Sequence, residues 1–294
     1  MRLLVLGAAG QIGRAASDAA GKQGWETFGP TRNEIDICNR EAVSNAVLSY
    51  APTAILNAAG YTAVDSAEEN QEQAFRVNRD GVRVLAEIAN DAELPIVHLS
   101  TDYVFNGRAT TPYTEDDKVD PLSIYAKSKE AGERAVRKAA PRHVILRTAW
   151  VYSPYRKNFL RTMLDLGASR SELRVVNDQT GSPTSALDVG KSIVTILDAI
   201  QSREFNQWGT YHCVGAEADT WYDFARKIFD CSAKFGVRPP SVVPVSSRDF
   251  PTLAPRPKYS VLSTAKLENC FGIKPRPLSD SIEECVASLA KTWN

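Results

Sequence analysis

No stretch of this chain approaches the roughly 20 consecutive apolar residues that a membrane-spanning helix needs, so no membrane partner is expected. Cysteine is scarce. The five present, Cys38, Cys213, Cys231, Cys270 and Cys285, are widely spaced and include no Cys-x-x-Cys pair. An odd, scattered set does not make a disulfide framework and reads as reduced thiols in a reducing compartment. Histidine is scarcer still. His98, His143 and His212 are far apart and form no metal-type pair, so no metal is expected. Neither sign of charge is in excess: 35 Lys and Arg face 35 Asp and Glu. That balance gives no reason to expect nucleic acid or an acidic membrane surface as a partner. The apolar run from Leu3 to Leu6 is too short for a secretion signal and Gly7 breaks it, so the expected location is cytoplasmic.

What is present suits a folded enzyme-sized chain. With 294 residues, 43% hydrophobic and 24% charged, it can bury a sizeable core in one or two domains. The first half alternates short apolar runs with longer amphipathic ones. Strands are expected at 3–6, 26–28, 54–57, 96–100 and 144–147, and helices at 11–23, 40–50, 74–91 and 125–138. Continuous apolar strands separated by helices predict parallel crossovers and a doubly wound α/β sheet. After Trp150 the alternation fails. Proline and glycine become denser, 250–257 reads as an extended loop, and helices remain at 185–200, 221–229 and 280–290. The expectation is a mostly parallel Rossmann-type sheet over 1–150 and a smaller mixed lobe over 151–294, with some segments returning to the sheet.

Four local patterns carry chemistry. The first, Gly7-Ala8-Ala9-Gly10-Gln11-Ile12-Gly13, follows the first strand and opens the first helix. Glycine lets backbone approach a pyrophosphate there, and the helix start offers free N–H groups; a tight structural turn is the simpler alternative. At the end of the second strand, where a dinucleotide ribose sits, no carboxylate appears and Arg32 does. That favours the 2′-phosphate of NADPH over NADH, unless Arg32 is only a solvated loop residue. Asp36 and Ile37 follow, placed to bracket the adenine. The third strand ends in Ala58, Ala59, Gly60, Tyr61 and Thr62, small enough at first to leave room for a cofactor or for close helix packing. Finally, Tyr125 and Lys129 share one helix face, downstream of a strand-end Ser100-Thr101-Asp102. A neighbouring ammonium should lower the phenol pKa, letting Tyr125 pass a proton to a developing alkoxide while Thr101 holds the same oxygen.

Together these residues resemble the extended short-chain dehydrogenase/reductases. Further motifs narrow the likeness: Asn57 to Asp65, Ser100 to Gly107, Arg147 to Tyr152, Asn158-Phe159, Asp178 to Thr184, Trp221 to Ala225 and Arg256-Pro257. The combination resembles the dTDP-4-dehydrorhamnose reductase family from the first strand to the last helix. The resemblance implies an NAD(P)H-dependent reduction of the C4 keto group of a nucleotide-linked sugar. It assigns Thr101, Tyr125 and Lys129 to catalysis, and Lys129 also to the nicotinamide ribose. It places Gly7, Gly10, Gln11 and Ile12 on the pyrophosphate, and Gly60, Tyr61 and Thr62 beside the cofactor. Asp102 and Trp150 fall at sugar-pocket positions, although Trp150 also suits a core. Arg256 could pair with the substrate diphosphate or lie on the surface.

Some relatives are dimers bridged by magnesium through acidic residues. The matching stretches here read Arg14-Ala15-Ala16-Ser17 and Ser185-Ala186-Leu187, so the bridge is not expected and a homodimer stays open. Two other functions stand beside the reductase. A sugar-nucleotide epimerase or dehydratase shares the Tyr–Lys pair, but 4,6-dehydratases carry Thr-Asp-Glu where this chain has Tyr103. A non-catalytic NADP-binding regulatory subunit is the other; the intact Thr101, Tyr125 and Lys129 argue against it.

Overall fold

The structure, a computed structural model, describes residues 1–202 and 204–291. Residues 203 and 292–294 of the expected lobe lie outside the described residues. The chain opens with β1 (Arg2–Leu6), α1 (Gln11–Lys22), β2 (Glu26–Phe28), α2 (Arg40–Tyr50) and β3 (Ala54–Asn57). Then come α3 (Val64–Glu69), α4 (Gln71–Phe75), a π-helical turn (Arg76–Gly81), α5 (Val82–Asp91) and β4 (Ile96–Thr101). A 3-10 turn (Asp102–Val104) and a loop lead to α6 (Ile124–Ala139) and β5 (His143–Thr148). Short pieces follow: β6 (Val151–Tyr152), α7 (Phe159–Gly167), β7 (Glu172–Val176), β8 (Thr180–Gly181) and β9 (Thr184–Ser185). The remainder is α8 (Ala186–Ala199), β10 (Gly209–His212), β11 (Asp219–Thr220), α9 (Trp221–Ala233), β12 (Ser241–Val245), α10 (Ala265–Phe271) and α11 (Leu278–Ala290).

Six strands form one parallel sheet in the order β10-β5-β4-β3-β1-β2. The inner strands are apolar on successive residues because both faces are covered. One face packs Leu3, Val5, Leu56, Val97 and Leu146 against α1 and α8. The other packs Leu4, Leu6, Ile55 and Ile145 against Val43 of α2 and Val82 and Leu85 of α5. A separate core under the later helices gathers Tyr152, Leu160, Phe224, Phe229, Ile282 and Val286. Several helices start at side-chain caps: Asn39 for α2, Ser123 for α6, Asn158 for α7 and Thr220 for α9.

Two expectations need correction. The helix read over 74–91 is broken by the π-helical turn, whose inner side meets α6 at Gly132. A Cβ on Gly132 would lie 2.1 Å from the Asn78 carbonyl oxygen, so the helices approach more closely than a side chain permits. The extra residue in the turn leaves the apolar period almost intact, so periodicity could not reveal it. The other correction concerns α3, α7 and α10, for which the sequence pattern predicts no helix. Each is short, and short apolar repeats do not separate helix from loop.

Candidate active site

A cleft of about 900 Å³ runs along the carboxyl ends of β1, β3, β4 and β5. This is where open parallel sheets receive ligands. Its glycine end is built by exclusion. Gly7 has φ +85°, and a Cβ on it would meet the Ala58 backbone at 2.5 Å. A Cβ on Gly13 would meet the Gly7 carbonyl oxygen at 2.2 Å. At Gly10 no side chain caps α1, which leaves its first-turn amides free for an anion. These features fit a dinucleotide pyrophosphate.

Nearly all the residues singled out in the sequence meet in this cleft. Gly7, Gly10, Gln11 and Ile12 line it from the first turn, and Arg32, Asp36 and Ile37 from the segment after β2. Ala58, Ala59, Gly60, Tyr61 and Thr62 line it after β3. Thr101, Asp102, Tyr125, Lys129 and Trp150 line the rest. Asp36 is partly committed elsewhere. Burial opposes its ionisation, but the Cys38 amide at 3.0 Å and the Arg76 guanidinium at 2.7 Å hold its carboxyl below the usual range.

Arg256 is the exception. It is not on the cleft wall; its guanidinium lies 2.8 Å from Asp65 Oδ2. The Ala254 amide donates to the other Asp65 oxygen at 3.0 Å, so the pair pins the proline-rich loop to α3. In this arrangement its guanidinium is paired with a half-exposed carboxylate.

Tyr125 and Lys129 stand one turn apart on α6, and Ser123 caps that helix. The Lys129 ammonium donates to the Leu99 carbonyl oxygen at 2.6 Å. Burial lowers its pKa to about 8, against the charge of Glu133 one turn further on. Burial also pushes the Tyr125 phenol up to about 12, with a Thr101 hydrogen bond pulling it down and the Asp102 charge pushing it up. The expected lowering of the phenol by Lys129 is therefore not found. The ammonium is turned to a backbone carbonyl, and desolvation dominates the phenol.

Asp102 opens the 3-10 turn after β4. Its Oδ1 accepts from the Thr101 hydroxyl at 3.0 Å, and its buried Oδ2 has no hydrogen-bond partner among the described residues. Burial raises its carboxyl to about 7, against the lowering influence of the Ser260 and Thr101 hydroxyls nearby.

Trp150 occupies a left-handed conformation, φ 44°, after β5. Its ring stacks on Trp221 at 3.5 Å between centroids and 5° between planes. Gly181 lies under it, where a Cβ would sit 2.4 Å from the indole. Of this stacked pair, the resemblance gives a role to Trp150 alone. Trp221, Thr148, Arg156 and Lys157 also line the cleft, and no motif singles them out for a role. A signal for Trp221 does exist, since it opens the Trp221 to Ala225 motif of the resemblance, directly after the Thr220 cap of α9. No helix of the described residues is long and apolar enough to cross a membrane, and no group of three or more His, Cys, Asp or Glu among them could hold a metal ion.

A glycine cradle, a strand-end Thr and a helical Tyr–Lys pair in one cleft of a doubly wound sheet define an extended short-chain dehydrogenase/reductase. More narrowly, the chain belongs to the RmlD substrate binding domain family, whose model matches residues 1–291. It is 41% identical over 277 residues to a dTDP-4-dehydrorhamnose reductase of Aggregatibacter actinomycetemcomitans, covering 93% of this chain and 94% of that one. Among solved structures, it resembles a dTDP-4-dehydrorhamnose reductase of Clostridium acetobutylicum with TM-score 0.92 and 37% identity, covering 98% and 99% of the two chains. The Bacillus anthracis enzyme of that name, solved in complex with NADP, matches with TM-score 0.89 and 33% identity, over 98% and 99%.

Proposed function

We propose that the protein reduces the C4 keto group of dTDP-4-dehydro-L-rhamnose to give dTDP-L-rhamnose, with NADPH as the reductant. The observation that carries the reading is the meeting of Thr101, Tyr125 and Lys129 with the glycine cradle in one cleft. The names and the bound NADP of close relatives support the substrate and the cofactor. Arg32 in the cleft supports NADPH over NADH, because no free carboxylate stands at the ribose end.

When bound, the reduced nicotinamide supplies a hydride to the carbonyl carbon. Gly7, Gly10, Gln11 and Ile12 hold the pyrophosphate, Arg32 the 2′-phosphate, and Asp36 and Ile37 the adenine side. Ala58, Ala59, Gly60, Tyr61 and Thr62 flank the cofactor along the end of β3. Lys129 holds the nicotinamide ribose. Thr101 orients the carbonyl, and Tyr125, neutral at physiological pH, donates its proton to the C4 oxygen. The unpartnered Oδ2 of Asp102 accepts from a sugar hydroxyl, and Trp150, backed by Trp221, forms an apolar wall for the ring. In this division of labour, residues 1–150 bind the dinucleotide and bring Thr101, Asp102 and Trp150 to the sugar, and the later lobe backs the ring wall with Trp221.

The direct test mixes the protein with dTDP-4-dehydro-L-rhamnose and either NADPH or NADH and follows the loss of reduced-nicotinamide absorbance. Formation of dTDP-L-rhamnose, faster with NADPH, is expected. No turnover with either dinucleotide would overturn the reading.

A further inference from the structure

The segment after β6 crosses from the later lobe to the glycine loop and is fastened there. The Ser153 hydroxyl donates to Gln11 Oε1 at 2.6 Å, and the Tyr155 hydroxyl to Asp18 Oδ2 at 2.8 Å. The Arg14 guanidinium lies over the Tyr155 ring, 4.5 Å from its centroid. At its far end the Asn158 side chain donates to the carbonyls of Ser153 and Tyr155 at 2.8 and 3.1 Å, and caps α7 by accepting from the Arg161 amide. The strap is thus tied both to α1 and to its own lobe.

Arg156 sits at the centre of this strap in a left-handed conformation, φ 45°. A residue with a Cβ adopts that region at a cost of roughly 1–2 kcal/mol, so the fastenings on either side hold it there. Its guanidinium donates to the Ala9 carbonyl oxygen at 3.0 Å, inside the glycine loop. Arg156 and its neighbour Lys157 both line the cleft, and among the described residues neither forms an ion pair. Arg76 and Arg256, outside the cleft lining, are paired with Asp36 and Asp65, while Arg32, the other arginine lining the cleft, stands at the ribose end after β2. One guanidinium without a carboxylate partner is therefore fastened to a loop that is shaped for an anion, and the unpaired Lys157 follows it on the cleft lining.

We infer that Arg156, with Lys157 beside it, closes over the pyrophosphate of the bound dinucleotide from the side opposite the α1 N-terminus, so that a strap from the later lobe completes the cofactor site. The inference rests on the dinucleotide reading above. The cofactor pyrophosphate is favoured over the diphosphate of the sugar nucleotide because the Ala9 hydrogen bond fixes the guanidinium at the glycine loop.

The test is calorimetric binding of NADP+ and of adenosine 2′-monophosphate, which lacks the pyrophosphate, to the wild-type protein and to Arg156→Ala and Arg156→Lys. Removing one charge-assisted hydrogen bond should weaken NADP+ about tenfold in the alanine variant. Adenosine 2′-monophosphate should bind as before, the lysine variant should recover part of the affinity, and the salt dependence of NADP+ binding should become shallower. Unchanged NADP+ affinity in Arg156→Ala overturns the inference. So does equal weakening of both ligands, which makes the strap merely structural, or a raised KM for the sugar nucleotide alone, which gives the cation to the other diphosphate. A wild-type protein that binds no NADP+ at all sinks the dinucleotide reading and the inference with it.

Discussion

Of the helical Tyr125–Lys129 pair, burial makes the ammonium and not the phenol the group that titrates near neutrality. The phenol, at about 12, stays protonated throughout the working range and is suited to giving a proton. The ammonium, at about 8, loses its charge on mild alkalinisation. The alkaline limb of kcat/KM should therefore fall with an apparent pKa near 8, and Lys129→Met should abolish that limb while lowering the rate. Tyr125→Phe should lose on the order of 10²–10⁴ in turnover with NADP+ binding retained. A limb that persists unchanged in Lys129→Met would reassign it to another group. Asp102 provides a second residue-level prediction, on stability. Its folded pKa, about 7, is raised above the ordinary 3.8 by burial. Its protonated form contributes stability that is fully present below 3.8 and is lost as the pH rises through about 7. Asp102→Asn should thus be more stable than wild type at pH 8, by on the order of 3 kcal/mol, and the advantage should vanish toward pH 4. Urea denaturation at the two pH values measures it; equal stability at both would show that the carboxylate is solvated or partnered.

At the scale of elements, the strands and helices that carry the site were legible because each pattern is local. The glycine loop sits between β1 and α1, Thr101 ends β4, and Tyr125 and Lys129 share the first turns of α6. Less visible was what aligns these elements. Asn78 lies in the π-helical turn, fully buried, and its Oδ1 accepts from the Tyr61 amide at 2.8 Å. Its Nδ2 donates to the Tyr61 carbonyl at 3.0 Å and to the Ser128 hydroxyl at 2.9 Å. One side chain therefore joins the loop after β3 to the helix that bears Tyr125 and Lys129. A lone Asn within a helical repeat gives no such hint, because its partners lie far away in sequence. The pairing of Arg256 was hidden for the same reason: its partner, Asp65, is remote in sequence. Asn78→Ala should cost about 2–3 kcal/mol, since it leaves the Tyr61 backbone groups unpaired. It should also weaken NADP+ binding, because the Gly60–Thr62 segment loses its anchor. Denaturant titration and calorimetry on the same variant test both effects. A destabilised protein with full cofactor affinity would show that the anchor serves only the fold.

For the molecule as a whole, the division near Trp150 does not separate the cores. The face of the sheet that holds Leu3, Val5, Leu56 and Val97 is closed by Val189, Ile193, Ile196 and Leu197 of α8, which lies beyond the division. Gly190 brings α8 against α1 so closely that a Cβ there would lie 2.6 Å from the Ala15 carbonyl carbon. The edge strand β10, with the buried Tyr211, also comes from the later half and pairs with β5. Removing everything after Trp150 would expose this apolar face to water at once. Each large side chain uncovered costs roughly 1.5–3 kcal/mol, and a domain holds only about 5–15 kcal/mol in total. A fragment of residues 1–150 should accordingly lack dispersed amide resonances and show no cooperative thermal transition, although it contains the glycine loop, Thr101, Tyr125 and Lys129. Adding α8 and β10 back, by extending the fragment through residue 213, should restore cooperative unfolding before it restores turnover, because the Trp150–Trp221 wall is still missing. If the shorter fragment folds and binds NADP+, the sheet does not depend on α8, and the two halves fold as independently as their tasks suggest.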